Sequence, residues 1–276
     1  MENMQSVINQ LKETTDYIRQ QCTYKPIVGV ILGSGLGNFT EGMVVEKEIN
    51  YADIPHFPVS TVEGHSGKLI FGEMEGKRVV AMAGRFHYYE GYSPDQVVYP
   101  IRVMKMLGVE TLFISNAAGS TNSHWSVGDL MIITDHISLF TANPLLGKNE
   151  PELGPRFPDM SEPYSKALIA KAKIIAEKMD LPLHTGVYFG VTGPTFETRA
   201  EYKMIKLLGG DAVGMSTVQE VIAAVHIGMK VFAISVITDI AILEGSNTIT
   251  LEEVLQAAKV AEPKLTGLFK KMIAEM

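Results

Sequence analysis

The segment Gly84-Arg85-Phe86-His87-Tyr88-Tyr89-Glu90-Gly91 sets an arginine two residues before a histidine, directly after a run rich in β-branched residues. On extended backbone, side chains two apart face the same way, so a bidentate guanidinium would stand beside an imidazole with a switchable proton. That combination suits an oxyanion. For an isolated pair, a solvated arginine beside a packed histidine is the commoner arrangement.

Gly33-Ser34-Gly35-Leu36-Gly37 follows the run 27–32, and glycines there let backbone amides converge on an anion. The spacing fails three familiar patterns. Asn38 stands where a dinucleotide fingerprint needs its third glycine, no Gly-Lys-Ser or Gly-Lys-Thr follows, and Leu32 and Leu36 occupy the glycine positions of a nucleophile elbow. A tight strand-to-loop turn explains the motif equally well.

Three more segments carry similar ambiguity. Ser115-Asn116-Ala117-Ala118-Gly119-Ser120, after a strand, has side chains small enough to open the backbone to a ligand or to pack a close turn. In Gly193-Pro194-Thr195-Phe196-Glu197-Thr198, Phe196 can cover a planar ligand and Glu197 can accept its hydrogen bonds. Alone, Glu197 reads as a surface carboxylate near a positive helix end. Gly214-Met215-Ser216-Thr217 leads into a helix, where Ser216 can donate to an anion beside the terminal amides or merely cap the helix.

The elements that must position these segments are strands at 27–32, 78–83, 111–115, 130–134 and 231–237, whose continuous apolar runs suit a sheet covered on both faces. Helix starts lie between them. Ser93-Pro94 with Gln96 forms a capping box ended by Gly108, and Thr198 with Glu201, Thr217 with Glu220 and Thr250 with Glu253 repeat the pattern, Gly209 and Gly228 ending the first two. Residues 69–83, broken at Glu75-Gly76-Lys77, read as an antiparallel hairpin, so the sheet is mixed. Residues 141–164 are proline-rich and read as a long loop of the kind that often carries function. The fold class expected is α/β, a single-domain sandwich over residues 1–276 with a central mixed β-sheet flanked by helices.

Composition narrows the ligands. A formal charge of -7 argues against nucleic acid as a partner, because phosphate backbones are held by basic surfaces; an anion must be captured locally. Cys22 is the only cysteine, which suits a reducing, cytoplasmic setting and leaves no cysteine-rich zinc site. No signal-peptide pattern opens the sequence, and the apolar run 231–243 is interrupted by Asp239 and too short for about 30 Å of hydrocarbon, so no membrane association is expected.

Taken in order, the five segments resemble the trimeric purine nucleoside phosphorylases, from residue 27 through the last helix. The resemblance implies phosphate held by Ser34, Arg85, His87, Ser216 and the amide of Ala117, with ribose contacts from Tyr89 and Met215. It sets Phe196, Glu197 and Asp239 beside the base and gives His87, Glu197 and Asp239 catalytic roles. Phe157, in Gly154-Pro155-Arg156-Phe157-Pro158, matches the phenylalanine that crosses from a neighbouring subunit to close the ribose site, which implies a homotrimer. The implied reaction is phosphate-dependent cleavage of the N-glycosidic bond of purine (deoxy)ribonucleosides, giving free base and (deoxy)ribose 1-phosphate. Phosphate is then a substrate, and no cofactor or metal is implied. Breaking a ribosyl C–N bond develops positive charge on the sugar and negative charge on the purine, which an in-line phosphate and hydrogen bonds at the base would stabilise.

Two positions depart from the family pattern. Asp239, in Ile237-Thr238-Asp239-Ile240, stands where the family usually has an asparagine at the purine N7/O6 edge. Ionised, it only accepts and favours a 6-amino group; protonated by burial, it donates to N7 or O6. Glu197 instead suits the N1–H of hypoxanthine or guanine, so the two acids give opposed indications. Leu251, near where the family often has a histidine facing the ribose 5′-hydroxyl, eases a 5′-deoxy or 5′-thio substituent. The competing readings are a methylthioadenosine phosphorylase, favoured by Asp239 and Leu251, a noncatalytic nucleoside sensor, and a dinucleotide-dependent oxidoreductase, which Asn38 opposes.

Overall fold

Strands β1 (Val28–Ile31) and β4 (Lys77–Ala83) are buried along nearly their whole length, as their apolar runs require. The computed structural model describes residues 6–33, 37–59, 61, 66–241 and 248–276. Before β1 lies α1 (Val7–Gln21), capped by Ser6. Between β1 and β4 come β2 (Val44–Asn50) and β3 (Lys68–Met74). The β3–β4 hairpin turns at Glu75 and Gly76, with φ of 52° and 73°, the paired left-handed backbone of a two-residue turn.

Helix α2 (Pro94–Leu107) starts at the Ser93–Gln96 capping box and stops at Gly108, whose φ is 116°. Then come β5 (Thr111–Ser120), β6 (Leu130–Ile137), α3 (Lys166–Lys178), β7 (His184–Gly190), α4 (Arg199–Leu207), β8 (Ala212–Gly214), α5 (Val218–His226), β9 (Lys230–Ile240) and α6 (Leu251–Ala274). Residues 138–165 contain no helix or strand. The Thr198 and Thr250 capping boxes form, each threonine accepting from the backbone of its glutamate.

The nine strands of the described residues form one mixed sheet in the order β2-β3-β4-β1-β5-β8-β7-β6-β9. Because β5 also pairs with β9, the strands β5-β8-β7-β6-β9 close into a small barrel and the other four extend from it. Helices flank the sheet: α2 packs on α1 and α5, while α6 packs on α3 and β9. No helix of the described residues is long and apolar enough to cross a membrane.

One expectation is corrected here. Asn116 to Gly119 is not a loop after a strand ending at 115; β5 runs on to Ser120 because its partner β9 continues alongside it to Ile240. A register shift between Ala118 and Gly119 sets Gly119 opposite Asp239. A Cβ at Gly119 would stand 2.7 Å from Asp239 Oδ2, so the glycine makes room for that carboxyl.

Candidate active site

A cavity of about 340 Å³ opens where the C-terminal ends of β4, β5 and β9 meet the segments after β7 and β8. Loops at strand ends build such sites in α/β proteins because the strands hold their backbones fixed. Arg85, His87, Ala117 and Ser216 lie along one part of its wall, and Phe196, Glu197 and Asp239 along another. Tyr89 and Met215 also line it. Gly193, at φ 66°, leaves no room for a Cβ against Met215 Sδ, which seats the Glu197 segment on that methionine.

Arg85 is 1% exposed and almost fully engaged by the protein. Its Nε donates to Glu220 Oε1 at 3.0 Å and its Nη2 to Glu220 Oε2 at 2.6 Å. Nη1 donates to the Ser115 carbonyl at 2.8 Å and to Ser216 Oγ at 3.1 Å. Of the five guanidinium hydrogens, the second on Nη2 is left without a partner among the described residues. The Arg85 charge is therefore balanced by Glu220, and an anion here meets aimed donors rather than a bare positive charge.

This geometry corrects the expected Thr217–Glu220 capping box. Thr217 makes no side-chain cap bond. Its Oγ1 accepts from Asn116 Nδ2 at 2.8 Å, and Glu220 faces Arg85 instead. Thr217 sits at φ 71°, ψ -52°, with the Val218 N–H donating to the Ser216 carbonyl at 2.7 Å. Such a conformation in a β-branched residue costs about 1–3 kcal/mol. Arg85, Asn116 and the tight turn hold Ser216 at the cavity wall. Asn116 Oδ1 is buried with no partner among the described residues.

His87 is 5% exposed and stacks on Tyr89 with ring centroids 4.6 Å apart. Glu90 Oε1 accepts from the His87 backbone at 2.8 Å and lies 2.9 Å from Nδ1. Burial lowers the imidazole pKa below its ordinary value, outweighing the contact with Glu90, which raises it. Burial alone would raise Glu90, but hydrogen bonds from His87 and Thr61 hold it down at about 2. A neutral His87 with Nδ1–H on the ionised Glu90 carries its ring lone pair on Nε2.

Along the Phe196 wall of the cavity, Tyr202 donates to Asp239 Oδ2 at 3.0 Å, and Thr238 Oγ1 stands 3.3 Å from Oδ1. Burial pushes the Asp239 carboxyl up, against those two hydrogen bonds. Burial also pushes Glu197 up, helped by the charge of Asp239 and opposed by hydrogen bonding from its own backbone and from Tyr202. Two half-buried carboxyls thus share one phenol.

Among the other expected residues, Phe157 does not reach this cavity; it is 87% exposed on the long loop, with the Arg156 guanidinium 5.7 Å from its ring centre. Ser34 lies outside the described residues, although Gly33 before it packs so closely on β5 that a Cβ would meet the Ser115 carbonyl at 2.8 Å. Leu251 lines the cavity with Val254 and Leu255, giving it an apolar edge. The residues that sequence reading did not assign are Glu90, Glu220 and Tyr202. Glu220 left a signal: α5 reads Val-Gln-Glu-Val-Ile-Ala-Ala-Val-His, and a carboxylate in so apolar a helix needs a buried partner.

Residues 27–274 match a family described as the phosphorylase superfamily. The chain is 48% identical over 266 residues to "Purine nucleoside phosphorylase 1" of Geobacillus stearothermophilus, covering 96% of this chain and 97% of that relative. Its fold superposes on the crystal structure of the Schistosoma mansoni purine nucleoside phosphorylase in complex with adenosine with a TM-score of 0.93, at 42% identity over 98% of each chain. A structure of the S. mansoni enzyme with inosine gives a TM-score of 0.91 at 41% identity, over 98% of this chain and 97% of that one.

Proposed function

The chain belongs to the phosphorylase superfamily, and we propose that it is a purine nucleoside phosphorylase, transferring the pentose of a purine (deoxy)ribonucleoside to inorganic phosphate and releasing the free base. The observation that carries this reading is the joining, in one cavity, of an anion corner at Arg85, His87 and Ser216 to a base end at Phe196, Glu197 and Asp239. A binding module has no need of the first beside the second.

Phosphate enters the corner as substrate, received by the second Nη2–H of Arg85, the Ser216 hydroxyl, the Ala117 amide and Ser34. Neutral His87 accepts a proton from monohydrogen phosphate at Nε2, which leaves the attacking oxygen more negative. The anion then stands in line with the anomeric carbon and offsets the positive charge that develops on the sugar. Tyr89 and Met215 border the ribose, with Asn116 Oδ1, which has no partner among the described residues, as a further acceptor for a hydroxyl hydrogen. Phe196 covers the purine while Glu197 and Asp239 stabilise the departing base. The apolar edge at Leu251, Val254 and Leu255 supports acceptance of 5′-deoxy and 5′-thio pentoses as well.

The protein functions as a single domain over residues 1–276, as a homotrimer in the cytoplasm, with Phe157 closing a neighbour's ribose site. The 87% exposure of that ring supports this, as does the exposure of Leu139, Phe140 and Leu146 on the same loop, 68%, 51% and 72%.

A panel of inosine, guanosine, adenosine and methylthioadenosine in phosphate buffer, followed by phosphorus NMR, tests the reaction type. Accumulation of a pentose 1-phosphate is expected, and base release yielding free pentose alone would refute phosphorolysis.

A further inference from the structure

Tyr202 is 4% exposed and sits on α4, its ring packed with Phe189, Ile205 and Val213. Its hydroxyl emerges behind the base end of the cavity, 3.0 Å from Asp239 Oδ2, and hydrogen-bonds Glu197 too. A Cβ on Gly119 would come within 3.0 Å of the same oxygen, so the register of β5 against β9 keeps this spot clear. A phenol has one hydrogen to give and lone pairs that accept. It serves one carboxylate fully and leaves the second either protonated or short of a donor. Two half-buried carboxylates around one oxygen resist double ionisation, which favours keeping a proton on the pair.

We propose that Tyr202 sets base choice: its single hydroxyl hydrogen turns to whichever of Asp239 and Glu197 is ionised, and one proton held by that pair lets the cavity take both 6-amino and 6-oxopurines. With a 6-aminopurine, Glu197 carries the proton and donates to N1, while ionised Asp239 accepts from the 6-amino group and from Tyr202. With a 6-oxopurine, Asp239 carries the proton and donates to O6 or N7, while ionised Glu197 accepts from N1–H and from Tyr202. Both arrangements hold one carboxyl proton and one phenol hydrogen, so nothing is exchanged with solvent. Burial raises both acids, as retention of that proton requires. The opposed indications of Asp239 and Glu197 become two faces of one site.

This inference rests on the reading of the cavity as a purine nucleoside phosphorylase site, and Tyr202→Phe separates the two. The variant keeps the ring and its packing and removes only the hydroxyl. In the wild type, phosphate-dependent turnover of both adenosine and inosine is expected. In Y202F, kcat/KM for adenosine should fall at least about tenfold relative to inosine, because Asp239 loses its 3.0 Å donor and keeps, among the described residues, Thr238, whereas Glu197 still receives N1–H from the base. An unchanged ratio in an active Y202F enzyme overturns the role of Tyr202 and leaves phosphorolysis standing. A wild type that turns over neither nucleoside overturns both. Calorimetry of wild-type protein with adenine and with hypoxanthine, in phosphate and in buffers of different ionisation enthalpy, gives a check that needs no variant. Equal net proton uptake for the two bases is expected, and a difference of about one proton overturns the proposal.

Discussion

Arg85 and Glu220 meet as a two-pronged ion pair, Nε to Oε1 at 3.0 Å and Nη2 to Oε2 at 2.6 Å, with side chains 1% and 3% exposed. The pair joins the end of β4 to the first turn of α5 and fixes the plane of the guanidinium. Glu220 thereby acts as a positioning residue for the Arg85 guanidinium and, in the proposed function, for the anion it receives.

Replacing Glu220 with Gln leaves the arginine charge buried and unbalanced. Breaking such a pair costs about 3–5 kcal/mol, so a lowered thermal midpoint is expected without phosphate. Phosphate then supplies the missing counter-charge and should restore more stability to E220Q than it adds to the wild type. Thermal scans with and without phosphate check this. Equal phosphate increments in the two proteins would mean that Glu220 does not balance Arg85.

The burial of His87 sets a pH dependence. The folded-state pKa of His87 lies below its ordinary 6.5 because of burial, so folding favours the neutral ring. The stability this brings is fully present above about pH 6.5 and is lost as pH falls toward the folded value. Urea unfolding of wild type and His87→Gln at about pH 7.5 and about pH 5.5 isolates the contribution. The wild type should lose more stability on acidification than H87Q. Parallel losses would contradict a buried neutral histidine.

Gly119 faces Asp239 and Tyr202 across the β5–β9 ladder, and Gly119→Ala puts a methyl 2.7 Å from Asp239 Oδ2 and 3.0 Å from the Tyr202 hydroxyl. Overpacking of this kind costs about 1–3 kcal/mol. The strain falls on the base end, so nucleoside KM should rise several-fold while phosphate KM changes little. Steady-state kinetics in both substrates read the split. A variant with both constants unchanged would show that Asp239 is free to move aside.

The strand end that carries Arg85 was legible in the sequence because the apolar run 78–83 stops at Gly84, whereas β5 and β9 run past their expected ends at 115 and 237. Helix starts were legible where capping was their local cause, at Ser93, Thr198 and Thr250. Thr217 and Glu220 share that pattern, yet tertiary partners claim both side chains, Asn116 for one and Arg85 for the other. The barrel closure through β5–β9 was not legible, since that pairing joins residues more than a hundred positions apart. Strand β8 spans three residues and owes its conformation to β5 and β7 rather than to its own pattern. Tyr202 read as one more residue of a capped helix; its meeting with Asp239 depends on how α4 docks against the end of β9.

Phosphate as the attacking group is tested most directly by base release from inosine by wild-type protein with inorganic phosphate present or rigorously removed. Release that depends on phosphate and saturates with it is the predicted result. Release at the same rate in its absence would make water the nucleophile and would contradict the account.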